Sequence, residues 1–316
     1  MSMSNAEKKR FFGKVLLLGE YSIIQGGEAL TVPFEKFSGR FEFSGNKGSS
    51  NPLQAESNRI LRDFLHHLKN PELRSKFFYP VDLEEFEKDL EKGMYFSSNI
   101  PQGYGVGSSG ALVAALFYHY AQGSRLFQTP DEITFRNLRE QLALMESWFH
   151  GSSSGLDPLT SLLGSPIRVH SEKKISFPDF PLFTDSFHYT PFLIDTGKPG
   201  NTRPLVDWYN RQLSSGQFNA DLLKALSNQV LNALYKKDRF FFESFLAQLS
   251  LFQLENMRPM IPDIIRSLWQ QGIYSGEWLL KLCGSGGGGF VLGFTDHYEH
   301  AKKKIEDAGL KTTHLS

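Results

Sequence analysis

The stretch from Pro101 to Leu116, PQGYGVGSSGALVAAL, decides how the rest of the chain is read. It is a glycine-rich loop running directly into a helix. Gly103, Gly105, Gly107 and Gly110 lack the Cβ atoms that hold a backbone away from a ligand, and they permit the positive φ angles that turn several N–H groups inward. Ser108 and Ser109 open the helix, whose N-terminus offers unpaired N–H donors and roughly half a positive charge. Such a terminus favours a polyphosphate, and a hydroxyl at this point reaches a phosphate oxygen or a bound Mg²⁺. Leu112, Ala115, Leu116, His119 and Tyr120 then repeat at helical spacing, which predicts an amphipathic helix anchored in a core.

Other loop chemistries fit less well. Gly105, Gly107 and Gly110 satisfy G-x-G-x-x-G, but a dinucleotide fold needs a clean buried strand before the loop and an acid at the end of the next strand. Here MYFSSNIP ends in a proline, and Asp131 follows Pro130 at a helix start. No Gly-Lys-Ser/Thr closes the loop, so the Walker pattern fails as well. A flexible glycine loop without a ligand is the plain alternative.

With 316 residues, 40% hydrophobic and 22% charged, the chain is long enough for a large core and is expected to form two domains. Lys+Arg and Asp+Glu both number 34, so no overall field favours nucleic acid or an anionic membrane. The run Val15 to Leu18 is too short for a signal-peptide core or a membrane span, and a cytoplasmic enzyme is the default expectation. The single Cys283 excludes an intramolecular disulfide and any multi-cysteine metal site. The 28 phenylalanines are scattered and read as filler.

GKVLLLG at 13–19 reads as a buried strand, with Lys14 at its head, where a solvated lysine is the ordinary reading. EALTVPF and SGRFEF are two further strands, Gly45 to Pro52 a polar loop, and Leu53 to Leu68 a helix. Asp131 or Thr129 caps a helix reaching Phe149, with Glu146 beside the stripe Leu138, Leu142, Met145 and Phe149. Glu146 is thus either a partly exposed helix glutamate or an inward carboxylate that needs a cation. In HGSSSGLDPLTSLLG, Asp157-Pro158 has the form of an N-cap followed by proline, and capping alone accounts for Asp157. Strands PIRVH and KISFP follow, then the proline-rich crossing FPDFPLF, which places a domain boundary near residue 180. HYTPFLID is a strand and Asn201 or Thr202 starts a helical region reaching about 272, broken near 214–216 and 259–262. The chain closes as strand, glycine loop, strand, helix and short tail. The run Gly284 to Gly289 is too glycine-rich for a strand interior, so it is either a long flexible hairpin or a place of close approach.

Three stretches, GKVLLLGEYSIIQGGEAL, QGYGVGSSGALVAAL and KLCGSGGGGFVL, resemble in order the three motifs of the GHMP small-molecule kinases. MESWFHGSSSGLD and DTGKPGNTRPLV are similar to segments of the mevalonate kinase branch. The resemblance covers nearly the whole chain. It implies an α+β fold of two domains, a ribosomal-S5-like N-terminal ATP-binding domain over 1–180 and a ferredoxin-like C-terminal domain over 181–316, with the site between them. It assigns Ser109 and Glu146 to Mg²⁺, Asp157 to catalysis and Lys14 to the reacting hydroxyl and Asp157. Gly103, Gly105, Gly107, Ser108, Ser109, Gly110, Gly286 and Gly287 fall to the ATP phosphates and site architecture. Glu20, Tyr21, Thr202 and Arg203 fall to the acceptor.

The implied activity is transfer of a phosphoryl group from MgATP to a small alcohol, mevalonate. Phosphomevalonate, a sugar, the related decarboxylation and a non-catalytic nucleotide-binding regulator are the rival readings. Phe12, Tyr21, Gly200 and Cys283 depart from the family pattern, which has proline, histidine, arginine and threonine there. ATP and a small alcohol are the expected partners, with no nucleic acid or membrane, and the oligomeric state is left open between monomer and homodimer.

Overall fold

The apolar run at Val15–Leu18 is the second half of a strand, Phe11–Leu18 (β1), in which Phe11, Val15, Leu17 and Leu18 are at most 1% exposed. A strand covered on both faces reads as a continuous apolar run rather than an alternation. The computed structural model describes residues 9–44, 51–123, 131–151, 153–171, 174–178, 183 and 187–315. Most of the expected polar loop from Gly45, Thr129 as a cap, Ser152, and 179–182 of the proline-rich crossing lie outside these residues. The further strands among the described residues are β2 (Ala29–Phe43), β3 (Met94–Ser98), β4 (Ile167–Val169), β5 (Ile175–Ser176), β6 (Thr190–Asp195), β7 (Leu279–Leu282), β8 (Phe290–Thr295) and β9 (Lys311–His314).

The chain divides into two compact units. One comprises Met1–Lys14, Pro33–Pro101 and Gly107–Ser165, the other Val15–Val32, Gln102–Val106 and Pro166–Ser316. The division expected at residue 180 falls within the last of these segments.

EALTVPF and SGRFEF are one strand rather than two. β2 runs through Pro33, which has no N–H to give to a ladder. Its antiparallel pairings lie to either side of that proline, Ala29–Thr31 with β4 and Gly39–Phe43 with β3. The strand order is β1-β2-β4-β5, with β3 also on β2.

In the first unit, the helix Ser108–Tyr120 packs against the helices Leu156–Leu163 and Glu132–His150. It is not amphipathic as expected. Every residue from Gly110 to Phe117 is buried, with these helices and, near its end, Phe11 of β1 and Phe41 of β2 packed on it. Each large side chain enclosed this way, such as Leu116, Phe117, Leu138 or Leu159, stabilises the fold by about 1.5–3 kcal/mol. Asp131 caps Glu132–His150, its Oδ1 accepting from the Thr134 N–H at 2.7 Å.

The second unit carries an antiparallel sheet in the order β7-β8-β6-β9. The helices Arg239–Asn256 and Asp263–Ser275 pack on β7. The expected tail is in fact β9, an edge strand pairing with Phe192–Asp195 of β6. Among the described residues, no helix is long and apolar enough to cross a membrane.

Candidate active site

In the first unit the helix start at Gly107–Gly110 meets Lys14 and Asp157. Gly107 is the residue before the helix and takes φ +76°; a Cβ there would lie 2.9 Å from Lys14 Cγ. Both facts require glycine. At Gly110 a Cβ would come within 2.8 Å of the Asp157 carbonyl carbon, so glycine here lets two helix starts touch. Ser108 and Ser109 are half-buried in the first helical turn.

Lys14 is not a solvated end residue. It is 4% exposed, and its Nζ lies 3.0 Å from Asp157 Oδ2. Asp157 is not the N-cap either: Gly155, at φ +73°, caps Leu156–Leu163, and Asp157 sits inside the first turn, where the helix dipole favours a carboxylate. One third of its side chain is exposed, so a ligand can reach it while Lys14 stays enclosed. Ser161 Oγ donates to the Phe12 carbonyl at 2.6 Å, which fixes this helix against the strand carrying Lys14.

Glu146 points inward, at 3% exposure. Ser109 Oγ donates to its Oε1 at 2.9 Å and Ser153 Oγ to its Oε2 at 2.5 Å. Burial, then the negative field of Asp157, push its carboxyl up to about 7, and the two hydroxyls and Lys14 offset this only in part. A cation at these oxygens would favour the ionised form. The donors are hard oxygens, and among the described residues no group of three or more His, Cys, Asp or Glu side chains is arranged for a metal. Two protein oxygens suit Mg²⁺, which keeps several waters and takes phosphate oxygens, and do not suit structural zinc.

In the second unit the glycine-rich loops pack on each other. A Cβ on Gly105 would lie 2.8 Å from the Cys283 carbonyl oxygen, one on Gly286 2.5 Å from that of Met260, and one on Gly287 2.6 Å from Leu205 Cδ1. Within this unit, the close approach expected at Gly284–Gly289 is made by the chain itself. Gly103 and Gly200 join the same cluster, the Gly200 N–H donating to the Gly103 carbonyl at 2.8 Å. A Cβ on Gly200 would lie 2.6 Å from the Gly286 carbonyl oxygen, which accounts for the absence of a long side chain there.

The expected acceptor residues are of two kinds. Glu20 and Tyr21 are 4% and 5% exposed. Glu20 Oε1 accepts from Lys281 Nζ, and the Tyr21 hydroxyl donates to the Ser285 carbonyl at 2.8 Å. Burial, followed by the fields of Tyr209 and Glu20, raises the Tyr21 phenol and keeps it a donor. Thr202 and Arg203 are exposed in the first turn of the helix Thr202–Ser214, and Thr202 Oγ1 lies 2.9 Å from Ser285 Oγ.

Four contributors were not singled out from the sequence. Ser153 is the second hydroxyl on Glu146, and Arg139 Nε donates to the Ser154 carbonyl at 2.9 Å, holding the loop before Asp157. Lys281 and Ser285 are the partners of Glu20 and Tyr21. Lys281 alone carried a local signal, a charge inside an otherwise apolar strand.

Residues 74–165 match the family GHMP kinases N terminal domain. A mevalonate kinase of Thermococcus sibiricus is 26% identical over 208 aligned positions, and the alignment covers 61% of this chain and 58% of that one. The match thus spans less than two thirds of that relative's length. The crystal structure of L. major mevalonate kinase in complex with R-mevalonate is similar over 95% of this chain and 90% of that one, with a TM-score of 0.60 and 17% identity. Streptococcus pneumoniae phosphomevalonate kinase in complex with phosphomevalonate and AMPPNP is similar over 97% and 99%, with a TM-score of 0.64 and 14% identity. The expected α+β GHMP kinase fold is borne out.

Proposed function

We propose that this chain, whose residues 74–165 match the family GHMP kinases N terminal domain, is an ATP-dependent phosphotransferase that carries the γ-phosphoryl group of MgATP to the primary hydroxyl of mevalonate. The observation that carries this reading is the ion pair of Lys14 with Asp157, placed against the helix start at Gly107–Gly110. A phosphate-binding terminus beside a reachable carboxylate and an enclosed ammonium is what phosphoryl transfer to an alcohol requires.

The loop N–H groups of Gly103 to Gly110 and the helix terminus bind the ATP phosphates, with the glycines of 286–287 maintaining the architecture of the second unit. Ser109 and Glu146 would hold Mg²⁺, which would supply charge neutralisation to the phosphates. A carboxylate is a weak base toward a free alcohol, so Asp157 takes the proton late, once bonding to phosphorus has made the hydroxyl acidic. Lys14 stabilises the developing alkoxide and, at 3.0 Å, orients Asp157. On the acceptor side Thr202 and Arg203 present an exposed hydroxyl and a cation, with Glu20 and Tyr21 behind them in the same unit's interior.

Phosphomevalonate is the second acceptor to test, since Tyr21 stands where the resemblance to mevalonate kinases calls for histidine. The experiment is a coupled ADP-release panel with mevalonate, phosphomevalonate, mevalonate diphosphate and hexoses, with products identified by mass. Stoichiometric ADP and a mevalonate phosphomonoester are expected. ADP release with none of the alcohols would sink the reading.

A further inference from the structure

Lys281 is the least expected charge in the second unit. It sits in β7, all four of whose residues are buried, and its side chain is 0% exposed. A buried ammonium is tolerated only when paired and hydrogen-bonded. Its Nζ donates to Glu20 Oε1 at 2.5 Å and to the Leu282 carbonyl at 2.7 Å. The Glu20 carboxylate is 2% exposed. Folding alone does not call for this pair, because apolar side chains of similar volume at such positions are often as stable or more so.

The pair acts at both ends on segments with a second tie. Tyr21, next to Glu20, takes φ 61°, a left-handed conformation that a tyrosine holds only when its surroundings impose it. Its ring lies 4.7 Å from that of Tyr209, and its hydroxyl reaches the Ser285 carbonyl. Ser285 in turn sets its own hydroxyl 2.9 Å from that of Thr202. Lys281 and Tyr21 therefore fasten one turn, Glu20–Tyr21, to one segment, Leu282–Ser285, at two points.

We propose that Lys281 is a positioning residue for the acceptor: by fastening Glu20 to the Leu282 carbonyl it fixes the segment that presents Ser285 to Thr202. At 0% exposure it acts through Glu20 and Ser285 and never touches the substrate. Glu20 and Tyr21 share this positioning role. The inference rests on the kinase reading above.

The test compares Glu20→Gln, Lys281→Met and the double variant by thermal melting and by separate KM values for acceptor and ATP. Each single variant breaks the ion pair and keeps one of its two charges buried, and is expected to melt lower. The double variant is expected to recover most of the melting temperature while its acceptor KM stays raised about tenfold and its ATP KM moves by less than about twofold. A double variant with the wild-type acceptor KM, or with equal rises in both KM values, overturns the proposal. Should the double variant not fold, Tyr21→Phe keeps the ring and removes the bond to Ser285; the same split in KM is expected, and unchanged constants overturn the proposal. A wild-type protein that phosphorylates no alcohol overturns the kinase reading and this inference together. An active wild type with an unaffected double variant overturns this inference alone.

Discussion

Replacing Glu146 with glutamine should change how stability depends on pH, in a direction and size set by its burial. The carboxyl is raised from 4.5 to about 7 by burial and by Asp157. An acid raised in the folded state stabilises the fold fully below its unfolded value, and that contribution is lost as pH rises toward the folded one. At about 1.4 kcal/mol per unit, the loss amounts to about 3 kcal/mol above neutrality. Glutamine does not ionise and escapes this loss. Between about pH 5.5 and pH 8.5, Glu146→Gln should therefore gain about 2 kcal/mol on the wild type, or about 4–8 °C in melting temperature. The assay is thermal unfolding of both proteins across this range in chelator, repeated with Mg²⁺. With MgATP the wild type should recover at high pH and the variant should not, because the carboxylate then has its cation. Parallel stability profiles for the two proteins in chelator would refute a buried, unneutralised Glu146.

Two further substitutions probe the same chemistry from other sides. Ser109→Ala removes a hydroxyl that donates to Glu146 and is expected to raise the KM for MgATP, most at low magnesium, with the fold intact; unchanged kinetics across a magnesium titration would exclude a metal or phosphate role. Thr202→Ala removes the partner of Ser285 Oγ and is expected to raise the acceptor KM far more than that of ATP, whereas small equal changes with a stability loss of about 1 kcal/mol would point to a merely local role at the helix start.

The positions of the glycine- and serine-rich loops were legible because their spacing is local information. Ser108 opens its helix where the sequence placed it, and Asp131 caps the next one. Partners far apart along the chain were not legible. The bond from Lys281 to Glu20 spans 261 positions, and no local pattern pairs those charges. Asp157-Pro158 looked like a cap because the residue that does cap, Gly155, uses its left-handed backbone and not a side chain. The helix Ser108–Tyr120 was read as two-faced from one row of apolar residues, although the other row, Ala111, Val113, Ala114 and Phe117, is just as apolar. That composition marks a helix enclosed all round. β9 was overlooked because KTTH is short and polar, and only its pairing with β6 makes it a strand.

The most direct measurement is the turnover of Asp157→Asn with MgATP and mevalonate, taken together with nucleotide affinity and thermal unfolding. Asn keeps the shape of the side chain, and since Gly155 and not Asp157 caps the helix, no cap is lost. Losing the charge leaves Lys14 without its 3.0 Å partner, so some drop in melting temperature is expected and is read out separately. Proton transfer to Asp157 predicts a folded protein that binds MgATP and has lost about 10²- to 10⁴-fold in kcat. A folded Asp157→Asn protein turning over at the wild-type rate would contradict it.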